Sequence, residues 1–203
     1  MNTNTHAKTL WMAQTAILTA VILLMAFTPL GYLKVGIIEI TFLVIPVAIG
    51  AIMIGPGSGA VLGAVFGATS FAQAFASPFG AALLAINPFY TFLLTMVPRI
   101  LMGYLVGLLF RSLFKIDKTK LISYTVASLS GAVLNTVLFI AALFLMFGQS
   151  DYLQSFGDGF VQILGVLVGL NALIEAIACM IIGAAITKGL SVALRHRQQK
   201  KAT

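Results

Sequence analysis

The chain reads as an all-helical integral membrane protein with six transmembrane spans, and two observations predict this. Of its 203 residues 60% are hydrophobic and only 8% charged, with a mean hydropathy of +1.07, which no soluble domain carries. Apolar runs of about 18 residues or more also recur along the whole length, and a hydrocarbon core about 30 Å thick makes runs of that length spanning helices. A membrane barrel would alternate over segments of about ten residues, whereas these runs are continuous. The spans are placed at 10–27, 36–54, 58–76, 89–110, 121–146 and 159–187, in a single membrane domain over 1–190 followed by a basic tail over 191–203.

Each element has its own signal. The first run follows Lys8 as a secretory signal would, but it lacks a small-residue cleavage site and continues to Phe27, so it is expected to be a mature helix. Ala16 and Ala20, with Ala13 one turn earlier, give it a smooth face suited to packing within the chain or to a partner's helix. The connection Thr28-Pro29-Leu30-Gly31-Tyr32-Leu33-Lys34-Val35-Gly36 is apolar with Gly and Pro hinges, and the stretch from Ser77 to Pro88 is uncharged; both suit lids as well as plain connectors. Between the second and third spans, Gly55-Pro56-Gly57-Ser58-Gly59 is a tight turn; no Lys-Ser or Lys-Thr follows, so it is not a phosphate loop. Gly59, Gly63 and Gly67 on the third span, and Gly103 and Gly107 on the fourth, recur at the spacing that lets helix backbones approach closely. The single cysteine, Cys179, lies in the sixth span, so neither a disulfide nor a thiolate metal site is expected and it reads as small apolar filler.

Charge sets the orientation. Of twelve Lys and Arg, four (Arg111, Lys115, Lys118, Lys120) fall in or beside the connection between spans four and five. Five more (Lys188, Arg195, Arg197, Lys200, Lys201) fall in the C-terminal segment, and Lys8 precedes span one. The positive-inside rule makes these segments cytoplasmic, and six spans then put both termini there, in a multi-pass protein of the cell membrane. The net charge of +7 is thus a matter of topology and contact with anionic lipid; no aromatic interleaving or motif points to nucleic acid.

Four strongly polar side chains interrupt the spans near their middle: Arg99, Asn135, Asn171 and Glu175. A charge at that depth costs about 2.5 to 3.5 kcal/mol even on the lenient insertion scale, so such residues face a protein interior and pair with each other or with a ligand. Arg99 and Asn135 both come out roughly 16 Å deep at 1.5 Å per residue, and Asn171 and Glu175, four apart, share a face at a similar level. Above them, toward the outer end, lie Gln73, Asn87 and Tyr90. Arg99 and Glu175 as a structural ion pair, or the asparagines as interhelical glue, would account for each residue singly. The convergence of all four favours a ligand site, and the set of guanidinium, amides and carboxylate suits a polyhydroxylated or amide-bearing acid.

Enzymatic chemistry finds no support. The chain has no Walker motif, and its two histidines, His6 and His196, sit in the terminal segments. Asp158 in Phe156-Gly157-Asp158-Gly159 has no second buried Asp with which to form an aspartyl dyad. No cofactor or metal is expected. A secondary transporter coupling protons through Glu175 and Arg99 is the rival reading, against which stand the small size and the lack of inverted repeats with broken helices; a subunit with a purely structural role is another.

Six helices in about 200 residues, alanines at intervals of four on the first helix, the run Ile45-Pro46-Val47-Ala48-Ile49-Gly50 leading into Gly55-Pro56-Gly57-Ser58-Gly59-Ala60, and Pro98-Arg99-Ile100-Leu101-Met102-Gly103 together resemble the substrate-binding S components of energy-coupling factor vitamin transporters. Thr28 to Lys34, and Thr69-Ser70-Phe71 followed by Ser77-Pro78-Phe79-Gly80, are most similar to the pantothenate-specific members; riboflavin, folate and hydroxymethylpyrimidine are the alternative cargoes. The resemblance implies a subunit that captures a vitamin from outside and closes the loop between helices one and two over it. It further implies docking onto a transmembrane scaffold driven by two cytoplasmic ATPases, and toppling in the membrane to deliver the cargo. Ala13, Ala16 and Ala20 would then meet the scaffold, and Arg99 or Lys34 would take the pantothenate carboxylate.

Overall fold

A computed structural model describes residues 3–28, 31–35, 38–117, 121–155 and 169–189. Helix α1 (Thr3–Ala26) leads into an antiparallel hairpin of β1 (Tyr32–Val35) and β2 (Ile38–Thr41), in register Tyr32 to Thr41 and Lys34 to Glu39. Then come α2 (Val44–Met53), α3 (Pro56–Ala74), α4 (Pro78–Ile86), α5 (Pro88–Ile116), α6 (Leu121–Phe147) and the single turn α7 (Asp151–Gln154). Helix α8 (Gly169–Ala178) continues into a π-helical segment, Cys179–Gly183, and helical backbone to residue 189.

Among the described residues three helices are long and apolar enough to cross a bilayer, over Ala7–Ala26, Pro88–Ile116 and Ile122–Phe147. Helices α3 and α4, bent by 90° at their junction, make a fourth if the pair is one span. Ser77 causes that bend to be well formed: its side chain accepts from the Gly80 N–H and Pro78 opens the new helix, where a missing N–H costs nothing. The stretch from Ser77 to Pro88, expected to be a loop, is therefore mostly helix.

The second expected span, 36–54, is corrected. Its first part is strand β2, and the helix that follows has ten residues, about 15 Å, half the hydrocarbon thickness. The β-branched run Ile37-Ile38-Glu39-Ile40-Thr41 favours the extended chain, and a continuous apolar run cannot by itself separate buried strand from buried helix. This hairpin is the departure from an all-helical chain among the described residues. Helix α2 is apolar on every side and buried from Val44 to Ile52, as a helix without a polar stripe must be. It packs against α1, α3, α5, α6 and the π segment, so the core forms around it: Val44 and Val47 meet Leu62, Phe66, Met102 and Val106.

The third, fourth and fifth expected spans correspond to α3, α5 and α6, the fourth running to Ile116. Of the sixth, residues 169–187 are helical, while 156–168, including Asp158, lie outside the described residues, as do Lys118, Lys120 and the tail 191–203.

Helices α3 and α5 approach through their glycines. A Cβ on Gly59 would collide with the Gly103 carbonyl and one on Gly103 with the Gly59 carbonyl. One on Gly63 would strike the Arg99 carbonyl, one on Gly67 would come within 2.8 Å of the Thr95 carbonyl, and one on Gly107 within 2.6 Å of the Pro56 Cα. The small-residue spacing is thus consumed inside the chain, and it brings α5 close enough to α3 to fix the level of Arg99.

A buried polar site between helices α5, α6 and α8

Pro98 explains why an arginine follows it. Proline has no N–H, so the carbonyl four residues earlier loses its helical donor. That carbonyl belongs to Leu94, and Arg99 Nη1 donates to it at 2.9 Å. The guanidinium folds back along its own helix to complete the broken ladder. Two aromatic rings lie against it: Cζ is 5.5 Å from the ring centroid of Phe66 on α3 and 4.6 Å from that of Phe139 on α6, within cation–π range. Arg99 is 9% exposed, and its Nε has no hydrogen-bond partner among the described residues. The guanidinium therefore keeps an uncommitted donor at Nε, a group able to hydrogen-bond a carboxylate.

Asn135 stands one turn from Phe139 on α6. Its Nδ2 donates to Glu175 Oε1 at 3.1 Å, joining α6 to α8, and each residue is only 6% exposed. Asn135 Oδ1 is buried without a partner among the described residues. An orphaned buried polar atom costs about 1–3 kcal/mol, and this region holds two of them, a donor on Arg99 and an acceptor on Asn135. Arg99 and Glu175 lie within electrostatic reach of each other, and Tyr32 within reach of Arg99, yet among the described residues no ion pair closes between Arg99 and Glu175. The simple structural pair expected as an alternative is not formed.

The structure thus brings together Arg99, Asn135 and Glu175. Asn171 lies one turn before Glu175 in α8, and its side chain is outside the described residues, as is that of Lys34 in β1. Gln73 is spent on scaffolding: its Nε2 donates to the Ala26 carbonyl at 2.7 Å, closing the end of α1. Asn87 caps α5, its Oδ1 accepting from the N–H groups of Phe89 and Tyr90 at 3.0 and 3.1 Å. Tyr90 is exposed, with its ring edge-on to Phe147 at 6.2 Å. Ala13, Ala16 and Ala20 are all exposed, on the side of α1 opposite Thr15 and Ile22, which are buried; Thr15 shares a hydrogen bond of 3.0 Å with Ser58 on α3. Among the described residues the alanine face is not used for packing within the chain.

Several contributors escaped the reading of the sequence. Phe66 and Phe139, which clamp the guanidinium, read as ordinary span residues; the signal was their placement, Phe66 beside Gly67 and Phe139 four residues after Asn135. Tyr32 and Ser70, whose hydroxyls are 3.1 Å apart, tie the hairpin to α3 and could not be paired without the fold. Ser128 Oγ is a third buried atom without a partner among the described residues, facing Gly183 in the π segment.

A family model described as "ECF transporter, substrate-specific component" matches residues 11–187. No curated protein is significantly similar to the chain.

Proposed function

Because the chain belongs to the family of ECF transporter substrate-specific components, a family of membrane transporter subunits and not of enzymes, we propose that it is the capture subunit for pantothenate. The observation that carries this reading is the pair of unsatisfied buried atoms, Arg99 Nε and Asn135 Oδ1, flanking the Asn135–Glu175 hydrogen bond. They suit a ligand with an anionic group and a hydrogen-bond donor. Pantothenate has one carboxylate, one amide, two hydroxyls and a gem-dimethyl group. Its carboxylate docks on Arg99 Nε, a hydroxyl or the amide N–H donates to Asn135 Oδ1, a second hydroxyl donates to Glu175, and Phe66 and Phe139 face the apolar carbons. Asn171 and Lys34 are the further ligand candidates by residue type, and Gln73, Asn87 and Tyr90 shape the mouth.

The hairpin serves as the lid, closing over the ligand from outside, with the Tyr32–Ser70 hydrogen bond as its latch. Both termini lie in the cytoplasm of a six-span protein of the cell membrane. The exposed Ala13, Ala16 and Ala20 face docks on a transmembrane scaffold subunit, which two ATPase subunits drive, and the whole chain topples against it to release its cargo. Replacing Ala16 or Ala20 with Trp separates these roles: pantothenate binding by the purified chain stays within about twofold, while ATP-driven uptake by the assembled transporter falls to background. Uptake that survives both substitutions would remove α1 from the docking surface.

A further inference from the structure

A guanidinium inside a membrane protein ordinarily pairs with a carboxylate, and Arg99 has Glu175 within electrostatic reach, yet among the described residues the two form no ion pair. Arg99 is held instead by a backbone carbonyl and two rings. Nη1 donates to the Leu94 carbonyl at 2.9 Å, and Cζ lies 4.6 Å from the Phe139 ring centroid and 5.5 Å from that of Phe66. Glu175, for its part, is engaged by Asn135, whose Nδ2 donates to Oε1 at 3.1 Å.

The two rings come from separate helices, and each is fixed by packing of its own. Phe66 is fully buried on α3 in the central apolar cluster, with Val44, Leu62 and Met102. It stands one turn after Gly63, whose close approach to the Arg99 carbonyl sets the level of α3 against α5. Phe139 is half-buried on α6, one turn after Asn135, and packs on a second cluster that contains Leu94 and Leu143. The charge thus touches rings anchored in two different apolar clusters.

An aromatic face attracts a cation through its quadrupole and consumes no N–H in doing so. A carboxylate in the same place would also offset the charge, but it would take the donors. Aromatic support is therefore a way to keep a guanidinium buried while Nε stays without a partner among the described residues. An aliphatic side chain offers no such attraction and would leave the guanidinium to close on Glu175. Taking this site to be the one that captures pantothenate, a reading on which the assignment depends, we infer that Phe139 and Phe66 are positioning residues that hold Arg99 off Glu175. They thereby set the preference of the site for an acid over the same molecule without its carboxylate.

The test titrates the full detergent-purified chain calorimetrically with pantothenate and with its neutral alcohol analogue, in which a hydroxymethyl group replaces the carboxylate. The parent chain is expected to bind the acid at least about tenfold more tightly than the alcohol, the worth of one charged hydrogen bond. Phe139→Leu and Phe66→Leu each lower affinity for the acid at least about fivefold, the worth of a buried cation–π contact, and leave affinity for the alcohol within about twofold. Phe139→Tyr keeps the ring and with it the preference of the parent. Retained alcohol binding shows that a variant is folded, and because the two rings sit on separate helices, misfolding of one variant leaves the other to decide. Equal weakening of both ligands, the result expected of rings that only fill space, would overturn the assignment, as would a preference unchanged in both leucine variants. A parent chain that binds the acid and the alcohol alike would overturn it while leaving pantothenate capture standing, whereas a parent chain that binds neither would remove that reading and the assignment together.

Discussion

At the scale of single residues, the site is organised by what Pro98 takes away and what Arg99 returns. The proline leaves the Leu94 carbonyl without its helical donor, and the arginine repairs the ladder while its guanidinium lies over the Phe139 ring of α6. Arg99→Lys cannot serve both tasks, since an ammonium carries no fork. It is expected to weaken pantothenate binding at least about tenfold, the cost of one charged hydrogen bond. Pro98→Ala restores the backbone bond, frees Nη1 and spares binding more than Arg99→Lys does; titration of both variants checks the order. The Asn135–Glu175 bond makes a second prediction. Asn135→Leu strips the donor from a buried carboxylate and should lower stability by about 1–3 kcal/mol while abolishing measurable binding. Adding Glu175→Met removes the stranded charge, so thermal unfolding recovers toward the parent while binding stays absent; recovery of binding in the double variant would remove both residues from the site. The sequence displayed Arg99, Asn135 and Glu175 plainly, because polar atoms stand out against lipid-compatible runs. It was silent on which of their atoms are already engaged, and the same silence made Gln73 and Asn87 look like ligand groups when one closes α1 and the other caps α5.

At the scale of elements, the α3–α5 pair is the frame on which the site hangs. Gly59 and Gly103 touch reciprocally through their carbonyls, and Gly63 lies on the carbonyl of Arg99 itself. In a membrane, where lipid is as apolar as leucine, such close backbone packing is a principal source of helix association. Gly103→Leu is therefore expected to cost at least about 1–3 kcal/mol, seen as a lower unfolding temperature in detergent, because the obstructing atoms are backbone and cannot move aside. Gly57→Ala, where a Cβ meets nothing within 4 Å in the first turn of α3, should be neutral or raise stability by up to about 1 kcal/mol. Equal behaviour of the two glycines would refute the account of the frame. The spacing by four made this packing legible in advance. The hairpin and the shortness of α2 were not, because Ile38 to Ile52 is apolar almost throughout, and only contact with five neighbouring elements tells a buried ten-residue helix from half of a span.

At the scale of the whole molecule, a wholly apolar short helix packs among longer ones, and the buried Arg99, Asn135 and Glu175 lie along the seams between α5, α6 and α8, where the proposed cargo would be held out of lipid. The overall class followed from composition, since 60% hydrophobic residues leave no soluble alternative, and family membership over residues 11–187 agrees with it. The choice of cargo rests on chemistry at one level of the bundle. Calorimetric titration of the detergent-purified chain with pantothenate, beside riboflavin, folate and a thiamine-pyrimidine precursor, tests it most directly. The account predicts saturable, tight binding of pantothenate alone at one per chain; binding of a comparator in its place, or no heat from any of them with a folded, monodisperse sample, would contradict it.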